Sequence, residues 1–134
     1  MANFSHYPLQ SAIYSALTGD ATLMALITGV FDRPPQGTAF PYITLGESFG
    51  RDLSTLATVG MEHHFTLHVW SREGGRKQAA QIMERLHTLL HQVILTVTGQ
   101  TMVTMSFVSS TIMLEDDGWT YHGEMQFHTV LQAN

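Results

Sequence analysis

The sequence predicts an α+β fold: a mostly antiparallel β-sheet with helices packed on one face. Three observations carry this expectation. Apolar residues at 3–4 spacing fill two stretches before the first alternating segment and one long stretch in mid-chain. The alternating segments follow one another through short turn-forming links, which suit antiparallel neighbours. Each helical stretch carries one apolar stripe, which must be covered by a sheet or another helix.

The elements read in order as follows. Ser5 stands where an N-cap belongs, with Pro8 in the first turn of a helix. Leu9, Ala12, Ile13, Ala16 and Leu17 form its buried stripe, and Gly19 ends it. Asp20 caps a second helix in which Leu23, Leu26 and Ile27 face inward, and Gly29 closes it. The segment "FDRPPQGTAF" cannot be helix interior, because proline lacks an amide donor and clashes with the preceding turn. Tyr42–Ser48 reads as the first main strand, and Phe49–Gly60 as an exposed loop or splayed hairpin arm without firm period. Met61–Trp70 alternates clearly, with Met61, His63, Phe65, Leu67 and Val69 on one face. The other face takes Glu62, His64, Thr66, His68 and Trp70.

In the stretch from Ser71 to Val93, residues Ala79, Ile82, Met83, Leu86, Leu89, Leu90 and Val93 give the strongest helical stripe. A short strand, Ile94–Thr98, then turns at Gly99-Gln100 into a long one, Thr101–Leu114. Asp117-Gly118 favours a tight hairpin turn, and Trp119–Leu131 is the last strand, with Trp119, Tyr121, Met125, Phe127 and Leu131 on one face. Gln132–Asn134 reads as a frayed tail. No repeat or linker divides the chain, so residues 1–134 are expected to form one domain, long enough to bury a real core.

Composition narrows the function classes. There is no cysteine, hence no disulfide framework, thiolate metal site or cysteine nucleophile. "MANFSHYPLQ" lacks the basic and apolar regions of a signal peptide, and no apolar run reaches the length of a membrane span. A net charge of −5 argues against sequence-independent DNA binding, which needs clustered Lys and Arg. Charged residues make up 13% of the chain, roughly half the usual share. That suits a surface partly covered by partners, or equally a monomer with a Thr/Ser/Gln-rich surface.

Eight histidines raise a metal site or a small metal-dependent enzyme as an alternative. His64 and His68 share a strand face but stand roughly 13 Å apart, too far to bind one ion. His64 with His122 or His128 across the sheet, and His87 with His91 on the helix, remain as pairs. No HExxH or HxH supports them, and structural histidines are the weightier reading. "SREGGRKQ" lacks the phosphate-cradle pattern, and no GxSxG is present. The run Glu115, Asp116, Asp117 is accounted for by a solvated turn. No catalytic, metal or cofactor residue is expected. Arg72, Arg76, Lys77 and Arg85 are four of only six basic residues, a concentration that suits an acidic neighbouring subunit.

Taken together, "VFDRPPQGTAFPYITLGE", "LHVWSREGGRKQA" and "LEDDGWTYHGEMQFHTVL", within nearly the whole chain, resemble the tail terminator, or tail-completion, proteins of long-tailed phages and phage-derived gene transfer agents. Neither of the first two blocks has a catalytic logic. The resemblance implies a structural, non-enzymatic protein that closes into a ring, six subunits in the family. The ring sits on the head-proximal end of the tail tube, stops polymerisation of the major tail tube protein and meets the head–tail connector or stopper. DNA passes through the lumen without specific binding, and no membrane is involved. The implied location is a virion or gene transfer agent particle assembled in the bacterial cytoplasm. The expected interface residues lie in the two non-periodic segments and the basic cluster: Arg33, Pro34, Pro35, Gln36, Phe40, Arg51, Leu53, Leu56, Arg72, Arg76 and Lys77. An ordered Pro/Gly loop can meet a neighbour at low entropic cost; the plain alternative is a loop that only connects.

Overall fold

A computed structural model of the chain describes residues 4–134, so the first three residues of the segment read for a signal sequence lie outside the described part. Helix α1 spans His6–Thr18 and the one-turn helix α2 spans Ala21–Met24. Strands β1, Val30–Phe31, β2, Tyr42–Asp52, and β3, Gly60–Ser71, follow. Then come helix α3, Lys77–Leu90, and strands β4, Gln100–Leu114, and β5, Tyr121–Ala133. The strands form one sheet in the order β1-β2-β3-β5-β4. Among the described residues only β1 and β2 run parallel; the other neighbours are antiparallel, as expected. No helix among the described residues is long and apolar enough to cross a membrane.

The helices lie on one face of this sheet. Leu9, Ile13 and Leu17 of α1 and Ala79, Ile82, Met83, Leu86 and Leu90 of α3 are buried against Phe65, Leu67 and Val69 of β3 and Met125, Phe127 and Leu131 of β5. Fully burying one such aliphatic side chain stabilises by about 1.5–3 kcal/mol. Closest approach occurs at Gly123, where a Cβ would come within 2.5 Å of the Met83 sulfur. A side chain at position 123 would require the Met83 side chain to move aside.

Where the structure departs from the sequence reading, local geometry explains it. Strand β2 runs on to Asp52, and Phe49–Asp52 pair with Met61–His64. A shift in register between Leu45 and Ser48 exchanges the two faces, which erases the period across Phe49–Asp52. Two-residue β1 is too short for any period to announce it. Helix α2 stops at Met24, and Leu26 is exposed rather than inward-facing. Gly29 does not close a helix; its carbonyl accepts from the Ile43 amide as the chain enters β1. Residues 94–98 make no strand beyond a single bridge between Val97 and Gln100. Helix α3 ends at Leu90, leaving Val93 beyond it. The β4–β5 link takes six residues, 115–120, instead of a two-residue hairpin, and Trp119 stands exposed outside the strand. The tail is paired through Ala133: Gln132 lies opposite both Gly60 and Thr101.

Candidate assembly surface

Register places the two non-periodic segments at opposite ends of the sheet. Tyr42 lies opposite Trp70, Ser71 opposite Tyr121, and Tyr121 opposite Leu114. The 32–41 loop, the 72–76 turn and the 115–120 turn therefore gather at one end. Asp52 lies opposite Met61, and Gly60 opposite Gln132, so the hairpin tip 53–59 projects from the other. The 12 residues of β3 separate them by roughly 35–40 Å at strand rise.

At the first end the loop is ordered by its own turn. The Thr38 amide donates to the Pro35 carbonyl at 3.2 Å, and Gly37 at φ +82° occupies the turn position that needs positive φ. Thr28 ties the loop back, its hydroxyl donating to the Ala39 carbonyl at 2.7 Å. Arg33, Pro35 and Gln36 are exposed; Pro34 and Phe40 are half-buried. Phe40 forms a clamp with Arg72: the guanidinium carbon lies 4.2 Å from the Phe40 ring centroid and 4.1 Å from that of Trp119. Arg72 Nε donates to Thr120 Oγ1 at 2.9 Å, and Trp119 Nε1 donates back to the Arg72 carbonyl at 3.2 Å. Asp117 accepts from the Thr120 hydroxyl and from the Thr120 and Trp119 amides, which hold its carboxyl down to about 2.

The basic cluster is thereby divided. Arg72 is occupied inside the clamp. Arg85 is turned inward, its guanidinium donating to both Asp20 oxygens at 2.8 and 2.9 Å, and so does not belong to an outward-facing cluster. Asp20 also caps α2 by accepting from the Leu23 amide, as expected. Arg76 and Lys77 are exposed; among the described residues, neither they nor Arg33 has a carboxylate within salt-bridge distance.

At the second end the hairpin is held by hydroxyls and amides. Asp52 accepts from Ser54 Oγ at 2.6 Å, and Thr55 Oγ1 accepts from the amides of Ala57 and Thr58. Its apolar side chains find no cover: Phe49, Leu53 and Leu56 are all exposed, Leu56 completely. Arg51 is paired with Glu62 at 2.7 Å. Below the tip, the root is locked to α1. Ser5 occupies the N-cap position but does not cap; its buried hydroxyl pairs instead with His63 Nε2 at 2.8 Å. Among the described residues, His63 Nδ1 is buried without a hydrogen-bond partner. Burial, with a lesser push from His6, takes the His63 imidazole down to about 4.

The sheet face turned away from the helices carries most of the remaining histidines. His64 lies against His128, ring centroids 4.8 Å apart, and His128 donates to Glu62 at 2.7 Å. His122 does not join His64; it meets His68, with His68 Nδ1 and His122 Nε2 2.6 Å apart. Glu124 stands opposite His68 in the register. Burial first, then the neighbouring His122, lowers the His68 pKa. His87 of α3 stacks on His91 just beyond the helix, and His91 Nδ1 accepts from the Phe107 amide, a structural role. Sequence reasoning missed the His68–His122 pair. The signal was present as alternate-position histidines on two strands, but only the β3–β5 register brings them together.

The sheet thus presents exposed, ordered segments at both ends, one of them apolar, the kind of surface that protein assemblies cover. The chain belongs to the tail completion protein gp17 family, whose model matches residues 11–132. It is 27% identical over 128 residues to the tail completion protein gp17 of Bacillus phage SPP1, covering 94% of this chain and 93% of that protein. A chain from the virion of a native gene transfer agent particle shares the fold with a TM-score of 0.89 at 24% identity, covering 98% of this chain and all of that one. The structure of bacteriophage SPP1 gp17 matches with a TM-score of 0.61 at 23% identity, covering 94% of this chain and 88% of that one. The resemblance read from the sequence is thus upheld: this is a protein of the tail-completion family.

Proposed function

We propose that residues 1–134 act as one tail-terminator domain that caps the tail tube as a ring, ends its growth and joins it to the head connector. One observation carries this reading: the two candidate contact segments lie at opposite ends of the sheet. A subunit standing between two different partners needs two such ends. A ring needs head-to-tail, heterologous contacts that close, and six subunits is the family expectation. The hairpin tip, with Leu53 and Leu56 exposed, suits a dry contact with a tube or connector protein. Arg76 and Lys77, exposed and without an intrachain carboxylate, suit an acidic neighbour. The net charge of −5 fits a lumen that does not retain DNA, and the function requires no catalysis.

The test is imaging of the head–tail joint in particles assembled with Arg76→Glu/Lys77→Glu. Both side chains are exposed, so the subunit should fold with stability within about 0.5 kcal/mol of the parent. The expected particles have uncapped or overlong tails detached from heads. Normal tails with this variant would remove the basic pair from the interface. One or two copies at the joint, instead of a closed ring, would overturn the reading itself.

A further inference from the structure

The outer face of the sheet holds a histidine–carboxylate constellation that tail completion does not require. We propose that His68, His122 and Glu124 form a three-ligand site for a divalent transition metal of the Zn2+ class, with a water completing the tetrahedron. One donor atom from each of the three lies within 4.8 Å of the others. His68 Nδ1 and His122 Nε2, 2.6 Å apart, point at each other. Such a pair must share a proton. An ion at the usual 2.0–2.1 Å from each nitrogen needs them about 3.3 Å apart. A small rotation of two side chains supplies that, with the His68 proton moving from Nδ1 to Nε2.

Four further contacts fix the rings before any ion arrives. Glu115 holds His122 Nδ1 at 2.8 Å, which leaves Nε2 as the donor atom, the carboxylate–histidine arrangement typical of metal ligands. Trp70 stacks on His122 with centroids 4.0 Å apart and planes 7° apart. Trp70 is itself anchored, its Nε1 donating to Thr44 Oγ1 at 3.0 Å. Gly46 leaves the space that His68 fills; a Cβ there would lie 2.5 Å from His68 Nε2. The neighbouring group Glu62, His64 and His128 has the same donor types but fits less well. Arg51 already sits 2.7 Å from Glu62, and its positive charge opposes a cation. Two imidazoles and one carboxylate select a borderline metal over Mg2+, which prefers an all-oxygen octahedron.

The experiment is calorimetric titration of untagged full-length protein, stripped with chelator, using ZnCl2 and then MgCl2. One equivalent of Zn2+ should bind and Mg2+ should not. His68→Ala and His122→Ala should each weaken Zn2+ binding about a hundredfold or more. Glu115→Gln, which removes only the positioning carboxylate, should weaken it about 10–100-fold at unchanged stoichiometry. His128→Ala should leave it intact. In the unmodified protein, imidazole NMR signals of His68 and His122 should move on Zn2+ addition while those of His64 and His128 stay, a readout independent of whether any variant folds. No saturable binding below about 1 mM, binding indifferent to His68→Ala, or loss in His128→Ala with the His68 signals unmoved would each overturn the site.

Discussion

The two ends of the sheet were alike as sequence, both non-periodic and flanked by turn formers, yet they are built on different physics. At the loop end the side chains hold each other: Phe40, Arg72 and Trp119 stack, and Asp117 and Thr120 close the bonding. At the hairpin end the backbone and small hydroxyls do the holding, and the large apolar side chains point away from the chain. A surface of the first kind is preformed and costs little to bind. The second kind leaves apolar area uncovered until a partner arrives. The end that looks loosest in sequence is thus the one with most to gain from assembly.

Acidification should have the largest effect on folding, and it acts at the root of the hairpin. His63 is neutral in the folded state, faces Ser5, lies opposite Thr129 in the register, and has the His6 ring 4.9 Å away as a titratable neighbour among the described residues. Protonation would place a second N–H at Nδ1, where none of the described residues offers an acceptor. Its folded pKa of about 4 lies below the ordinary 6.5, so the unfolded chain binds the extra proton first. Stability is therefore fully present above pH 6.5 and falls between pH 6.5 and 4, by about 2–3 kcal/mol. Asp20, Glu62 and Asp117 are lowered carboxyls and add their losses only below the ordinary carboxylate range. Urea unfolding at pH 7, 5.5 and 4.5 measures this. A flat profile across that window, or a profile unchanged in His63→Gln, would remove His63 as the cause.

Arg72→Ala should come next, at about 1–2 kcal/mol, since it removes two ring contacts and a hydrogen bond to Thr120. Arg72→Lys keeps the charge but cannot lie flat between two rings, and should lose about half as much. Arg76→Ala, whose guanidinium lies 5.6 Å from the Tyr121 ring on an exposed surface, should stay within about 0.5 kcal/mol. Equal losses for Arg72 and Arg76 in chemical denaturation would erase the distinction between the clamped and the exposed arginine.

Much of the fold was legible because periodicity reports burial directly. The alternation of β3 and the stripe of α3 appear in the structure on the faces expected of them. What failed to show was whatever breaks periodicity. The Leu45/Ser48 shift disguised the second half of β2 as loop, and apolar Ile94 and Val97 mimicked a strand where only Val97 is buried. Side-chain partners across sequence distance were illegible for a different reason. Arg85 with Asp20 and Arg72 with Phe40 and Trp119 depend on tertiary packing, and His68 with His122 on strand register, which no local pattern encodes. The first loop was found and the second only as its tip, 53–59, and which cations remain available to a neighbour could be sorted only after the internal pairs were known.

A small effect on folding should accompany the most telling change, replacement of Ser54–Val59 by Asn-Gly. Leu53 and Gly60 already face each other, the Leu53 amide donating to the Gly60 carbonyl at 2.9 Å, so a two-residue turn can join them without shifting the register. The losses are the Ser54 hydroxyl bonds, the Thr55 turn and the acceptor of the Ala133 amide at Val59. Against these stands a shorter loop with less entropy to lose, and the core stripe of α3 is untouched. Stability should lie within about 1 kcal/mol of the parent. Leu56, fully exposed in the isolated chain, is removed with the tip, and so is the part of the surface that only a partner could cover. A tube keeps growing because each layer offers a surface to the next, so a cap must bind that surface without copying it. If the tip makes that contact, particles carrying the shortened hairpin should show overlong tails or tails without heads in electron micrographs. Tails of normal length joined to heads would mean that the hairpin tip is not the stop signal, and would shift the contact to the preformed loop end.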